Sequence, residues 1–176
     1  MEELFVRMIY DFSSYRWIDA FMGLLSRWGY KLMIVSFLIC LVSKKTRRTG
    51  LSAIFAVLGG LGVTRLVRWL YPRERPFIVY EDITPLIAKE ATSSFPSEQA
   101  LITGVFIVFL WTMKGRLKWI FLTLSLITAL SRVYVGHHYL SDVIVGLALG
   151  AGLFISFQHL SPFQIRPFQM KRKGSV

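Results

Sequence analysis

Cysteine is nearly missing from this chain: Cys40 stands alone, inside an apolar stretch. No intrachain disulfide can form, and cysteine usage says nothing about redox compartment. Acidic residues are scarce, 10 against 21 lysines and arginines, for a formal net charge of +11. The N-terminus, MEELFVRM, lacks a basic start and a small-residue cleavage site. It does not read as a cleavable signal, so the first apolar span is expected to direct insertion. Internal repeats, low-complexity tracts and a composition shift that would mark a second domain are all missing, and residues 1–176 are expected to form a single domain.

What the chain has in excess is apolar residues, 54% of the total, gathered in blocks. Blocks near 28–43, 51–71, 98–113, 117–135 and 141–160 approach the roughly 20 residues that cross a bilayer. The expected fold is therefore all-α, a polytopic membrane bundle of five to six transmembrane helices. Spans 28–43 and 98–113 are short and are expected to tilt little or to sit in thinned lipid.

In a soluble protein this charge would suggest nucleic acid. Its placement points to a bilayer instead. Lys44, Lys45, Arg47 and Arg48 separate the first two spans, Lys114, Arg116 and Lys118 separate the third and fourth, and Arg166, Lys171, Arg172 and Lys173 close the chain. None of these segments holds an acid, and alternating spans put all three on one side, which the positive-inside rule makes cytoplasmic. The expected location is the cell membrane, with the opposite loops facing the outside. Trp69 and Tyr71, with Tyr134 and Tyr139, are expected to mark the outer interface, and Trp111 and Trp119 the inner one.

Residues 4–25 carry Arg7, Asp11, Arg16 and Asp19, and their apolar positions recur at helical spacing. An amphipathic helix lying in the interface suits this pattern better than a span with four charges at membrane depth; a sixth span is the alternative. Ser26, Arg27 and Gly29 are expected to mark the break before the first span. Gly59, Gly60 and Gly62, and later Gly146, Gly150 and Gly152, are read as helix-packing faces. Residues 72–96 form the only long connection, rich in proline and acids, and such a loop is more often functional than a spacer.

Three polar knots lie at outer span ends. The first, RWLYPRERP at 68–76, offers Arg68, Arg73 and Arg75; guanidinium forks suit phosphoryl oxygens, although any single arginine at a helix end can simply snorkel to headgroups. The second, SSFPSEQ at 93–99, starts a helix at Pro96-Ser97, with Ser93 or Ser97 as cap and open amides that favour an anion, though Pro-Ser also starts many ordinary helices. In the third, SRVYVGHHYLSD at 131–142, a helix resuming near His138 puts Asp142 one turn on, able to accept from the imidazole, fix its tautomer and leave the other nitrogen to attack. Arg132 can then hold the electrophile. Interfacial histidines alone would not explain the pairing with Arg132 and Asp142. Zinc fits poorly: adjacent His137 and His138 would diverge on a helix, Glu81, Asp82 and Glu98 have no ligand spacing, and the arginines repel a cation.

These blocks, a basic residue, six others and Arg-Pro, then Pro-Ser, then Ser-Arg, five residues, His, three residues and Asp, resemble the type 2 phosphatidic acid phosphatase superfamily. SFPS and VGHHYxxD are most similar to its bacterial undecaprenyl pyrophosphate phosphatases. The resemblance runs through about residues 65–150. It implies a metal-independent hydrolase with no cofactor and a bundle of about six helices, which favours the sixth-span alternative for 4–25. It implies that His138 becomes a phosphohistidine, that Asp142 orients it, and that Arg68, Arg75, Ser97 and Arg132 hold the phosphoryl oxygens. Pro96, Glu98 and His137 flank these positions and are counted with the substrate-binding set. The substrate it implies is a membrane lipid diphosphate, cleaved at its outer face to phosphate and a lipid monophosphate. Arg68 stands where a lysine is common.

Gln99 stands where a histidine would protonate the leaving group. Glutamine is no general acid, so a diphosphate, whose leaving phosphate needs little protonation, is the expected substrate in preference to a monoester; the rivals are Glu98 or His137 as proton donor, or a chain that Gln99 makes slow or inactive. A phosphatidylglycerol phosphate or other phospholipid phosphatase, a phosphotransferase, and a non-catalytic membrane protein conferring antibiotic resistance are the competing functions.

Overall fold

The structure is a computed structural model and describes residues 2, 6–8 and 15–160, Leu160 by backbone alone. The described residues are helical wherever they are regular. Helix α1, Arg16–Leu24, runs without a break through a π-helical turn at Leu25–Gly29 into α2, Tyr30–Val42. There follow α3, Arg47–Leu70, the single turn α4, Pro76–Val79, then α5, Glu98–Trp111, α6, Leu117–Tyr134, and α7, Leu140–Leu160. Four of these stretches, Arg16–Val42, Arg47–Leu70, Leu117–Tyr134 and Leu140–His159, are long and apolar enough to cross a membrane. Many of the exposed side chains along them, among them Leu32, Ile39, Leu58, Leu66, Leu126 and Ile144, are large and apolar, as lipid contact requires.

α5 is the short helix at the centre. Its 14 residues span about 21 Å, less than the roughly 30 Å of hydrocarbon, and nine of them are buried. It packs against α2, α3, α6 and α7. Phe37 of α2 wedges between Phe106 and Phe109, ring centroids 5.9 and 5.2 Å away, over Ala53, Ala56 and Phe154. A short helix enclosed by longer ones lets polar side chains gather over its end without meeting lipid.

Backbone contact fixes α5 against α7. A Cβ added at Gly104 would lie 2.1 Å from the Leu147 carbonyl oxygen, and one at Gly150 would lie 2.0 Å from that of Leu101. Gly146 meets the Ser97 carbonyl in the same way, and Gly60 meets the Leu101 side chain. Gly62 and Gly152 face open space and Gly59 makes only ordinary contact, so these three do not form the close packing read from the sequence.

Other expectations are corrected. Residues 16–25 are neither a separate interfacial helix nor a separate span; they are the N-terminal end of the 27-residue stretch Arg16–Val42. At about 40 Å it exceeds the hydrocarbon thickness, so Arg16 and Asp19 need not enter it. Ser26, Arg27 and Gly29 do not break the helix: they form its π turn, where Gly29 presses on Thr128. Most of residues 4–14 lies outside the described residues. Tyr134 and Tyr139 are not girdle residues, being only 4% and 5% exposed; Tyr134 donates to Asp19 at 2.7 Å and Tyr139 lies beneath Arg73. Trp69 and Tyr71 at one end, and Trp111 and Trp119 at the other, are exposed as expected.

Candidate active site

The three knots meet above the start of α5. The Ser97 amide donates to the Asp142 carbonyl at 3.2 Å, and the Ser94 amide to the Arg73 carbonyl at 2.7 Å. The Arg132 carbonyl, at the open end of α6, accepts from the amides of His137 and His138, each at 3.2 Å. Gly136 turns the chain there with φ +78°, against Ile83 of the long connection. Helix α7 begins at Leu140, so the two histidines lie on the turn before it, and both are buried.

His138 is held from both sides. Its Nδ1 donates to the Ser94 carbonyl at 2.8 Å, and its Nε2 lies 3.3 Å from Arg75 Nη1. A proton on Nδ1 leaves the lone pair on Nε2, toward the guanidinium. Burial, with the charges of Arg132 and Arg75, lowers the pKa of His138 well below that of an ordinary imidazole. The ring is neutral and nucleophilic at neutral pH.

Asp142 faces the same ring, but the hydrogen bond expected from the imidazole goes to Ser94. Its Oδ2 is 3.6 Å from Nδ1, beyond hydrogen-bond range. The carboxylate is fully buried and accepts from Arg73 Nη1 at 2.7 Å, from the Tyr139 amide at 2.9 Å and from Ser94 Oγ. It therefore acts on His138 through Ser94 and through space.

Arg75 is 1% exposed and forms the floor. It donates to the Thr92 carbonyl at 2.9 Å, the Thr92 hydroxyl at 3.0 Å, the Ser93 carbonyl at 3.2 Å and the His137 carbonyl at 2.9 Å. Burial, then the like charge of Arg68, lowers its pKa to about 10, so it stays charged. Arg132, 3% exposed, donates to Ser26 on the π turn and to His137 Nδ1 at 2.8 Å, while its Nε has no partner. Arg68 donates to Glu98 at 2.6 Å and to the Pro96 carbonyl at 3.0 Å, and its Nε is likewise unpaired. Unpaired buried guanidinium nitrogens in a basic cluster are donors in reserve for an anion.

Ser97 caps α5, its Oγ accepting from the Ala100 amide at 3.4 Å; Ser93 instead accepts from the Arg73 amide at 3.1 Å. Gln99 Oε1 is buried without a partner. His137 is fully engaged: Nδ1 takes the Arg132 hydrogen bond and Nε2 donates to the Ile87 carbonyl at 2.7 Å, so it has no proton placed for a leaving group. Burial, then Arg132, pushes its pKa down to about 4. Arg65 is exposed and outside this group.

Sequence reasoning missed three contributors. Arg73 was visible in the first knot, but its pairing with Asp142 was not. Ser94 looked like a spare serine. Ser26 gave no signal, because the π turn that brings it to Arg132 has no sequence signature. Among the described residues no three of His, Cys, Asp and Glu gather closely enough to hold a metal ion. Arginines, helix-start amides and one imidazole are the means available here for handling negative charge and a displacement at phosphorus.

Comparison with known proteins agrees with this chemistry. An undecaprenyl-diphosphatase of Sulfolobus acidocaldarius is 29% identical over 89% of this chain and 78% of its own length. An undecaprenyl-diphosphatase of Bacillus subtilis is 30% identical over 70% of this chain and 63% of its own. A lipid A 1-phosphatase of Rhizobium johnstonii is 29% identical over 71% of this chain and 52% of its own. The crystal structure of Aquifex aeolicus LpxE has the same fold, with a TM-score of 0.76 at 22% identity, covering 88% of this chain and 93% of that one. A PAP2-type phosphatidylglycerolphosphate phosphatase from Bacillus subtilis gives a TM-score of 0.72 at 20% identity, over 96% and 87%. The PAP2 superfamily signature matches residues 49–166, which takes in all three knots, and the chain is a multi-pass membrane phosphatase that belongs to the PAP2 superfamily.

Proposed function

We propose that this phosphatase removes the terminal phosphate of a polyprenyl diphosphate, undecaprenyl pyrophosphate or a close analogue, through a phosphohistidine on His138, at the outer membrane face and without a metal ion. The observation that carries the reading is the His138 ring, tied through Nδ1 to the Ser94 carbonyl at 2.8 Å, with Nε2 at 3.3 Å from Arg75. A phosphoryl group bound by Arg75 would meet the lone pair of Nε2.

In the first step the Nε2–P bond forms as the bond between terminal phosphorus and bridging oxygen breaks, and the electron pair leaves on that oxygen with the lipid monophosphate. Arg68, Arg75, Arg132 and the amides behind Ser97 stabilise the equatorial oxygens. Asp142 faces the ring as it becomes cationic. Water then attacks phosphorus from the opposite side, the N–P bond breaks, phosphate is released and the neutral imidazole returns.

Two features support a diphosphate. Gln99 and the engaged His137 offer no acid to an alkoxide leaving group, whereas a lipid monophosphate departs without one. Two relatives over most of the chain are undecaprenyl-diphosphatases. The lipid A 1-phosphatase relative and the phosphatidylglycerolphosphate phosphatase of the same fold define the second reading, a phospholipid phosphatase. Phosphate release by the purified protein from matched lipid mono- and diphosphates, with chelator present, tests the proposal. We expect diphosphate to be strongly preferred and Gln99→His to raise monoester turnover by about tenfold or more. Equal turnover of both by the wild type refutes the proposal.

A further inference from the structure

The connection above the site is fastened at two points. The Ile87 carbonyl holds His137 Nε2 at 2.7 Å, and Thr92 holds Arg75 through its carbonyl and hydroxyl at 2.9 and 3.0 Å. Residues 88–91 cross between these fastenings as a short strap that carries Lys89. Because both anchors bond directly to residues beside His138, the strap cannot drift from the site without giving up those hydrogen bonds.

Lys89 is solvent-exposed, whereas Arg75 and Arg132 are buried. The guanidiniums thus lie inside beside His138, and the ammonium is carried on the strap at the surface. Partial burial, then the charges of Arg75 and Arg132, lowers the pKa of Lys89. No carboxylate forms an ion pair with it among the described residues. A cation kept among cations is relieved by an anion that arrives between them. A diphosphate whose terminal phosphoryl meets Nε2 carries its second phosphate one bridging oxygen farther out, toward the strap.

We propose that Lys89 is a specificity-determining residue that grips the lipid-attached phosphate of a diphosphate substrate. The inference rests on the diphosphate reading above and adds the group that receives the leaving phosphate. As the terminal P–O bond breaks, the electron pair remains on the bridging oxygen, and the ammonium hydrogen-bonds the phosphate on which that charge collects. No proton need transfer, which suits a site with Gln99 in place of an acid. A lipid monoester brings no second phosphate to the strap.

The test compares purified full-length wild type, Lys89→Gln and Lys89→Arg on a polyprenyl diphosphate and the monophosphate of the same tail. The readout is the ratio of the two kcat/KM values, which does not depend on the folded fraction. Lys89→Gln is expected to lower the ratio by about tenfold or more, the size of one charge-assisted hydrogen bond, and Lys89→Arg to restore most of it. An unchanged ratio in Lys89→Gln, or a loss that arginine does not rescue, overturns the assignment of Lys89 alone. A wild type inert toward the diphosphate overturns the substrate reading, and this proposal falls with it.

Discussion

Replacing Asp142 by asparagine preserves shape and removes charge at a fully buried position. The ground state hardly needs that charge, because neutral His138 gives its proton to Ser94 and not to the carboxylate. On the proposed phosphohistidine route the transition state does: as Nε2 bonds to phosphorus the ring would become cationic, with Oδ2 at 3.6 Å from Nδ1. At an effective dielectric constant of about 20, that attraction is about 4–5 kcal/mol. Arg73, bound to Oδ1 at 2.7 Å, offsets part of it. The net is on the order of 2–4 kcal/mol, a fall in kcat of roughly 30- to 1000-fold with KM little moved. The assay is steady-state phosphate release from a lipid diphosphate in detergent micelles, with thermal unfolding measured on the same samples. A variant with wild-type kcat and only a lowered unfolding midpoint would refute the reasoning and reduce Asp142 to a structural partner of Arg73.

Glu98→Gln should free Arg68 from its 2.6 Å ion pair, lowering KM and tightening competitive inhibition by inorganic phosphate, each by about threefold at most because the pair is partly solvated. Initial-rate inhibition curves check this, and weaker phosphate inhibition would contradict it. The pKa of His137 lies at about 4 when folded, against the ordinary 6.5 when unfolded, so between these values the unfolded chain binds the extra proton. Its contribution is full above about pH 6.5 and is lost as pH falls toward 4. Unfolding midpoints should drop over that window, and less steeply in His137→Gln; equal slopes would reject the assignment.

Much of this protein was legible in its sequence because membrane insertion is governed by local composition. A run of apolar residues must span and its backbone must be helical, whatever the tertiary contacts. The polar residues that the structure gathers around His138 were legible for a related reason. Arg68, Arg75, Ser97, Arg132, His138 and Asp142 are polar groups at span ends, where few other residues stand, and their spacing along the chain carries the resemblance. Where local rules failed, packing had intervened. Arg16 and Asp19 looked too charged for a span, yet they sit on the overhang of a helix longer than the bilayer core. Tyr134 and Tyr139 looked like girdle residues until Asp19 and Arg73 drew them inside.

Sequence alone determined that this chain is a helical membrane phosphatase with one cationic, histidine-bearing end. Only the tertiary structure decided who holds whom. Ser94 rather than Asp142 fixes the His138 tautomer, Arg73 neutralises Asp142, a π turn delivers Ser26 to Arg132, and both nitrogens of His137 are occupied. Each of these bonds joins residues from separate elements or loops brought together only by the packed bundle, and hydrogen-bond partners a few ångströms apart leave no periodic trace in a sequence.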